Sequence, residues 1–259
     1  MSVQIENLSF SYGADPVLNG VSFTANDGEL MAVLGPNGVG KSTLFKCILG
    51  LLKGYTGKAV INGRDCAGLS SRQLAKLVAY IPQSHYPSFN YSMLDMVLMG
   101  TTAHTPGFSS PGREQIQTAE EAMEQLGIIH LRNRGYTQVS GGERQLALIA
   151  RAVAQKATVL IMDEPASNLD YGNQLRVIEE VRKLTGSGYT IIESTHNPDQ
   201  AFISADKILA LKNGRVIADG PPKEVINKEL IEKLYGVKVD IVSAADDKMR
   251  FCVPSHLLL

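Results

Sequence analysis

The sequence carries no excess of charge of either sign: 25 Lys and Arg stand against 26 Asp and Glu, for a net charge of −1. A general attraction to nucleic acid or acidic lipid is thereby excluded, so any membrane association must come from a specific partner. Cysteine is scarce. Its three copies, Cys47, Cys66 and Cys252, show no C-x-x-C spacing. Neither a disulfide framework nor a zinc site is indicated, and buried thiols in a reducing cytosol are expected. No apolar stretch approaches the roughly 18 residues needed to span a bilayer. The start of the chain, Met1 to Glu6, lacks the basic and apolar regions of a signal peptide, so a cytosolic location is expected. There is no internal repeat and no low-complexity tract. A chain of 259 residues suits one large α/β domain, or a core domain with a subdomain.

What is present begins with Gly35-Pro-Asn-Gly-Val-Gly-Lys-Ser-Thr43, which matches G-x-x-x-x-G-K-[ST] at every fixed position. Gly35, Gly38 and Gly40 let the backbone curl so that successive N–H groups face one anion, with Pro36, Asn37 and Val39 between them. Lys41 adds a point charge for the β- and γ-phosphates, and the Ser42 hydroxyl is placed to hold Mg²⁺. An apolar run at 29–34 reads as a buried strand entering the loop, and 42–49 as a helix leaving it. That helix turns its positive end toward the phosphates. The chain is expected to bind a nucleoside triphosphate.

Short β-like runs at 3–5, 21–25, 58–61 and 78–81 accompany that strand, and the last stops at Pro82. The segment from Ser84 to Ser92, with Tyr86, Phe89 and Tyr91, reads as a loop. From 94 to about 155 the pattern is helical, with Ile116, Ala119, Met123 and Leu126 on one face and a Pro/Gly loop at 101–112. Strand character returns at 158–162. A helix with Leu175, Ile178, Val181 and Leu184 follows, then strands at 189–193, 207–211 and 215–218. The tail predicts one helix over 223–235 and β-like runs at 237–242 and 250–253, with no chemical role assigned. The pattern is a parallel α/β core interrupted by a mostly helical insertion.

Two further motifs carry chemistry. Thr158 to Glu164 is an apolar strand ending in two carboxylates. Asp163 is placed to hold magnesium, directly or through water, and Glu164 to act as a general base or to position the attacking water. Ser140-Gly-Gly-Glu143 opens a helix. Ser140 with Glu143 fits a capping box, but Gly141 and Gly142 weaken a first turn. They fit a backbone that something approaches closely, and a helix N-terminus favours an anion.

The order of phosphate loop, Gln83, Ser140-Gly-Gly, Asp163-Glu164 and His196 resembles the ATP-binding cassette (ABC) ATPases over residues 1–240. The resemblance implies a P-loop NTPase with a RecA-like core at 1–83 and 156–240. An N-terminal antiparallel β subdomain, a helical subdomain at 84–155 and a short extension at 241–259 complete it. It implies that Tyr12 stacks on adenine, where the residue alone also fits an ordinary strand. It makes Gln83 a ligand of Mg²⁺ and a contact of the attacking water, and His196 a switch that bonds the γ-phosphate. It places Ser140, Gly141, Gly142 and Glu143 on the ATP of a second copy in a head-to-tail homodimer, with Asp170 coupling the two sites. Ala166 and Glu143 depart from the commoner Thr and Gln without removing a ligand. The remaining histidines, His85, His104, His130 and His256, show no ligand spacing.

Opening and closing of such a dimer needs a load. The resemblance implies an ATPase subunit at the cytoplasmic face of the membrane, serving a separate permease docked near Ser84 to Ser92. An extracytoplasmic substrate-binding protein would complete the assembly. The aromatics of that loop suit an interface core, and equally suit local packing. Segments 80–83, 97–100 and 169–174 resemble cassettes of iron–siderophore, haem and cobalamin importers; molybdate importers look similar, and an exporter cassette is the main rival. A soluble cassette acting on DNA or ribosomes would be expected to carry a coiled coil, zinc modules or a basic face.

Overall fold

The computed structural model describes residues 2–83, 89–104, 111–244 and 249–257. The chain opens with β1 (Val3–Tyr12), β2 (Asp15–Ala25) and β3 (Leu30–Leu34), then α1 (Lys41–Ile48), β4 (Thr56–Ile61) and the short β5 (Arg64–Asp65). Helix α2 (Ser71–Ala75) and strand β6 (Val78–Ile81) lead to α3 (Met93–Leu98), α4 (Arg113–Gln125) and α5 (Gly141–Ala154). Next come β7 (Val159–Asp163), α6 (Tyr171–Gly186), β8 (Thr190–Thr195), α7 (Pro198–Ser204), β9 (Lys207–Lys212) and β10 (Arg215–Gly220). Helices α8 (Pro222–Val225) and α9 (Lys228–Tyr235) precede a closing hairpin of β11 (Val239–Ala244) and β12 (Met249–Pro254). These elements form two units, residues 1–68 with 189–259, and residues 69–188.

In the first unit, β1 pairs antiparallel with both β2 and β4, and β5 extends β4. Val3 and Ile5 of β1 are buried, and so, out of phase, are Leu8 and Phe10. A bulge makes the phase change possible, because Ile5 pairs with Phe23 while Leu8 pairs with Val21. Asn7 takes a φ of 49° there. Gly57 passes so close that a Cβ would lie 2.4 Å from the Asn7 carbonyl oxygen. A second set of strands runs in the order β10-β9-β3-β8. Strand β3 is buried at all positions and parallel to both neighbours, which is why its sequence is continuously apolar rather than alternating.

The second unit pairs β6 with β7 in parallel, Val78 opposite Val159. Helix α5 contributes ten buried residues and is packed by α3, α4 and α6. Ala119, Ala122, Met123 and Leu126 are buried around α4 while Ile116 is half-buried. The loop expected from residue 101 starts later, because Met99–Ala103 forms a 3-10 turn. Gly100 in that turn lies against the Arg151 carbonyl, leaving no room for a Cβ; residues 105–110 are outside the described set.

Two further expectations need correction. In α6 the buried stripe is Val177, Val181 and Leu184, while Leu175 is exposed and Ile178 half-buried. Successive i+3 steps turn about 60° backward each, so Leu175 and Leu184 fall on opposite sides of an ideal helix. The single helix expected over 223–235 is two. Ile226 is extended, and Asn227 caps α9 by accepting from the Leu230 amide at 2.8 Å, a bond that competes with helix continuation.

One buried charge stands out in the first unit. Glu193 of β8 sits opposite Ala32 and is fully buried. Burial pushes its carboxyl up to about 7. Ser204 Oγ lies 2.9 Å from Glu193 Oε1 and 3.0 Å from the Gln200 carbonyl oxygen. The hydroxyl has a single proton, so a protonated Glu193 lets both contacts be hydrogen bonds. Because the folded value lies above the unfolded one, stability falls as pH rises from about 4.5 to about 7 and is level above. The loss is on the order of 3 kcal/mol. Glu193→Gln should abolish this dependence. Urea midpoints measured between pH 5 and 8 should fall for the native chain relative to the variant, and parallel curves would contradict the assignment.

Candidate functional site

In the first unit the loop from Gly35 to Thr43 joins β3 to α1. Gly38 and Gly40 take φ of 82° and 107°, conformations that L side chains rarely adopt. At Gly35 the constraint is space, since a Cβ would lie 2.4 Å from the Leu211 carbonyl oxygen. Helix α1 starts with Gly40 as its cap, with no side-chain capping bond and no acid in its first turn. Helices α3, α5 and α6 are capped by Ser92, Ser140 and Asp170. Lys41 is only 5% exposed. Its ammonium donates to the carbonyls of Gly35 at 2.7 Å and Pro36 at 3.1 Å. A nearly buried cation beside an uncapped helix start is an arrangement whose chemistry suits an anion.

Tyr12 and His196 belong to the same unit. Tyr12 ends β1 opposite Asp15, half-exposed, and meets Phe10 edge to face at 4.9 Å. The same hairpin brings Val17 and Leu18 against Gly40, whose Cβ would lie 2.9 Å from Leu18 Cδ2. His196 follows β8 directly. Leu34 pairs with Thr195, and the Gly35 amide donates to the Thr195 carbonyl at 3.3 Å. The phosphate loop and His196 thus leave neighbouring strands at one end. His196 is exposed, and its carbonyl accepts from Tyr235 Oη at 2.9 Å.

In the second unit Asp163 is the last residue of β7 and is buried. Tyr80 Oη lies 3.5 Å from Asp163 Oδ2. Burial and the Asp163 charge push that phenol up to about 12, so Tyr80 remains a donor toward Asp163. Glu164 is 8% exposed with a φ of 47°, a conformation that a non-glycine residue holds only when its surroundings enforce it. Gln83 Nε2 approaches Glu164 Oε2 at 3.3 Å and Ser167 Oγ at 3.4 Å, and Ser167 Oγ donates to the Glu164 carbonyl at 2.9 Å. Gln83, Glu164 and Ser167 therefore form one cluster, although 81 residues separate the first two.

Ser140 and Glu143 form the expected capping box. The Ser140 amide donates to Glu143 Oε2 at 2.7 Å, and Ser140 Oγ accepts from the Glu143 amide at 3.3 Å. The bond from the Ser140 amide holds the Glu143 carboxyl below its usual range. At Gly142 the close neighbour is Asn173 of α6, with a Cβ falling 2.2 Å from Asn173 Oδ1. Asn173 in turn donates from Nδ2 to Asp170 Oδ2 at 2.7 Å, and from its amide to Asp170 Oδ1 at 3.0 Å. These bonds, the amide first, hold Asp170 below the usual carboxylate range. Sequence reasoning assigned Asn173 no role. Its signal was the position three residues after a capping Asp, where a side chain can reach back.

The loop expected to dock a permease is described from Phe89 onward; its Ser84 to Ser88 part lies outside the described residues. Phe89 is 69% exposed and meets Tyr91 edge to face at 6.0 Å. Asn90 Oδ1 accepts from Thr137 Oγ1 at 2.8 Å, and the Met93 amide donates to the Arg134 carbonyl at 2.8 Å. The loop is thus tied to the stretch just before Ser140.

The Gly142–Asn173 contact is testable by a double-mutant cycle. Gly142→Ala should destabilise the native chain by about 1–2 kcal/mol, since the Asn173 amide must leave Asp170. In an Asn173→Ala background the same change should be neutral or stabilising by about 0.5–1 kcal/mol through helix propensity. Equal effects in both backgrounds, read from urea denaturation, would remove Asn173 as the constraint.

Residues 18–167 match the family model described as ABC transporter. An uncharacterised ABC transporter ATP-binding protein of Haemophilus influenzae is 38% identical over 242 residues, covering 93% of this chain and 92% of that protein. The hemin import ATP-binding protein HmuV of Bordetella pertussis is 34% identical over 252 residues, covering 94% and 95%. A solved chain from a transporter assigned to the metal-chelate type, in an inward-facing conformation, superposes with a TM-score of 0.87 at 31% identity. It covers 99% of both chains. The mixed sheet with its parallel strands, the antiparallel β subdomain and the packed helices are those of the ABC ATPase fold, a P-loop NTPase. The chain belongs to the ABC transporter family, as one of its ATP-binding subunits.

Proposed function

We propose that this chain hydrolyses ATP to power uptake of a metal chelate, an iron–siderophore, haem or cobalamin, through a separate permease. The cargo class is supported by the likeness to a hemin import subunit and to a metal-chelate-type transporter. In this reading the ATPase domain spans 1–240, with its core at 1–83 and 156–240 and its helical part at 84–155.

Backbone amides from Gly35 to Thr43 and the Lys41 ammonium bind the phosphates, and Tyr12 stacks on adenine. Ser42, Asp163 and Gln83 would hold Mg²⁺. A hydroxyl, a carboxylate and an amide oxygen are the donors magnesium takes alongside phosphate oxygens. Among the described residues no group of three His, Cys, Asp or Glu offers an all-protein cage. When bound, the ion neutralises charge on the β- and γ-phosphates.

Glu164 takes a proton from the attacking water or orients it, Gln83 holds Glu164, and His196 bonds the γ-phosphate. Water oxygen joins the γ-phosphorus as the bond to the bridging oxygen breaks, leaving ADP and phosphate. The observation that carries this assignment is Glu164 itself: a buried carboxylate on a left-handed backbone, clamped by Gln83 and Ser167.

Two copies close head to tail, Ser140, Gly141, Gly142 and Glu143 of each facing the ATP of the other, with Asp170 coupling the sites. The permease docks on the loop from Ser84 to Ser92, where the bonds of Asn90 to Thr137 give a path to Ser140. No helix among the described residues is long and apolar enough to cross a membrane. In this reading the subunit works at the cytoplasmic face, its permease served from outside by a substrate-binding protein; the likeness to import ATP-binding subunits supports that arrangement.

Glu164→Gln should keep ATP binding, lower turnover by more than about 100-fold and accumulate an ATP-dependent dimer in gel filtration. Phosphate release at the native rate would remove Glu164 from its role. The same variant, tagged and loaded with ATP, should retrieve a polytopic permease from detergent-solubilised membranes of its host. Recovery with cytosolic proteins or nucleic acid alone would sink the transporter while leaving the ATPase intact.

A further inference from the structure

The tail, which the sequence left without a role, converges on the segment that carries His196. Tyr235 is the last residue of α9, and its hydroxyl donates to the His196 carbonyl at 2.9 Å. The helix ends there because Gly236 takes a φ of 72°, its amide returning to the Glu232 carbonyl at 2.8 Å. Lys212, at the end of β9, donates to the Lys233 carbonyl and holds the same helix end. Strand β12 grips the helix that follows His196. The Cys252 amide donates to Asp199 Oδ1 at 2.8 Å, and the Arg250 guanidinium lies 5.7 Å from the centre of the Phe202 ring. Asp199 and Phe202 are both on α7.

On its other side the segment is bonded to the phosphate loop. The Thr195 carbonyl accepts from the Gly35 amide at 3.3 Å, and Thr195 Oγ1 accepts from the Asn197 amide at 3.1 Å. The backbone of His196 is therefore fixed between the start of the loop and the tail. An exposed imidazole on a connecting segment takes its aim from its own backbone. Misplacement by about 1 Å is enough to cost catalysis. A tyrosine reaches far with only two side-chain torsions, so it fixes such a position at small entropic cost.

We propose that Tyr235 is a positioning residue for His196, and that α9 and β12 brace the switch histidine against the phosphate loop. The proposal rests on His196 bonding the γ-phosphate, as argued above. Tyr235→Phe removes only the hydroxyl. In the full chain it should lower kcat for ATP about five-fold, with KM, nucleotide affinity and melting temperature unchanged. In ATP-loaded Glu164→Gln, the imidazole resonance of His196 should be a single narrow signal. It can be assigned among five histidines by its loss in His196→Ala, and adding Tyr235→Phe should broaden or double it.

A purely structural tyrosine would shift the melting temperature and leave that resonance alone, which overturns the proposal. Native turnover in Tyr235→Phe, with His196→Ala inactive, overturns the brace while the role of His196 stands. Native turnover in His196→Ala removes both.

Discussion

Strand β3 is buried along its whole length, and its register sets Leu34 opposite Thr195 on one side and Ala210 on the other. The chemistry of the first unit hangs from that register. Ligands of parallel sheets bind beyond the carboxyl ends of the strands, because there the loops open and the following helices present their positive ends. With Leu34 against Thr195, the loop of Gly35 and the segment of His196 emerge side by side, and one backbone bond joins them. A slip of one residue would turn every β3 side chain to the other face. Between two fully packed neighbours such a slip has no low-energy alternative.

The second unit places its groups by caps and strain. Ser140, Asp170 and Ser92 each occupy a helix N-terminus with their own side chains, whereas Gly40 leaves the start of α1 without one. The contrast bears on the two readings of Ser140. Its oxygen accepts from the Glu143 amide, yet a hydroxyl that accepts keeps its proton to donate. A capping serine can therefore bond a phosphate oxygen at the same time, so the capping box and the anion site are compatible. Glu164 shows the opposite economy. Its left-handed backbone is unfavourable alone by roughly 1–2 kcal/mol, and the bonds of Ser167 and Gln83 hold it there.

Legibility in the sequence divided along the same line. The places of Gly35 to Thr43 leading into α1, of Asp163 at the end of β7 and of Ser140 at the start of α5 were readable, because each is marked by particular residues at short spacing. Strand β6 was readable to the residue, since Pro82 stops it. Asn173 and Tyr235 were not, because each meets a partner distant in sequence, Gly142 and His196, whose proximity only the fold creates. The α6 stripe failed for a geometric reason: apolar residues at repeated i+3 steps drift around a helix, and Leu175 was assigned to a face it had already left. The break at Asn227 was hidden because Lys223 to Tyr235 is rich in good helix formers. One Asn side chain bonding forward to Leu230 was enough to divide it.

Near-neutral net charge returns here as a constraint on how anything is bound. At physiological ionic strength the screening length is roughly 8 Å, and this chain has no broad field with which to gather a tetra-anion such as ATP. In the proposed site, affinity comes from groups within contact distance: loop amides, the start of α1 and Lys41. Lys41 is already desolvated and bonded to carbonyls of its own loop, so much of the cost of burying its charge is met before any ligand arrives. The same argument applies to the proposed docking on a permease. A net charge of −1 supplies no general attraction to acidic lipid, so the proposed association draws on local contacts, such as those exposed Phe89 offers. On that proposal, binding at each end depends on fit, and the hydrogen bond of Thr137 to Asn90 ties that patch to the stretch before Ser140.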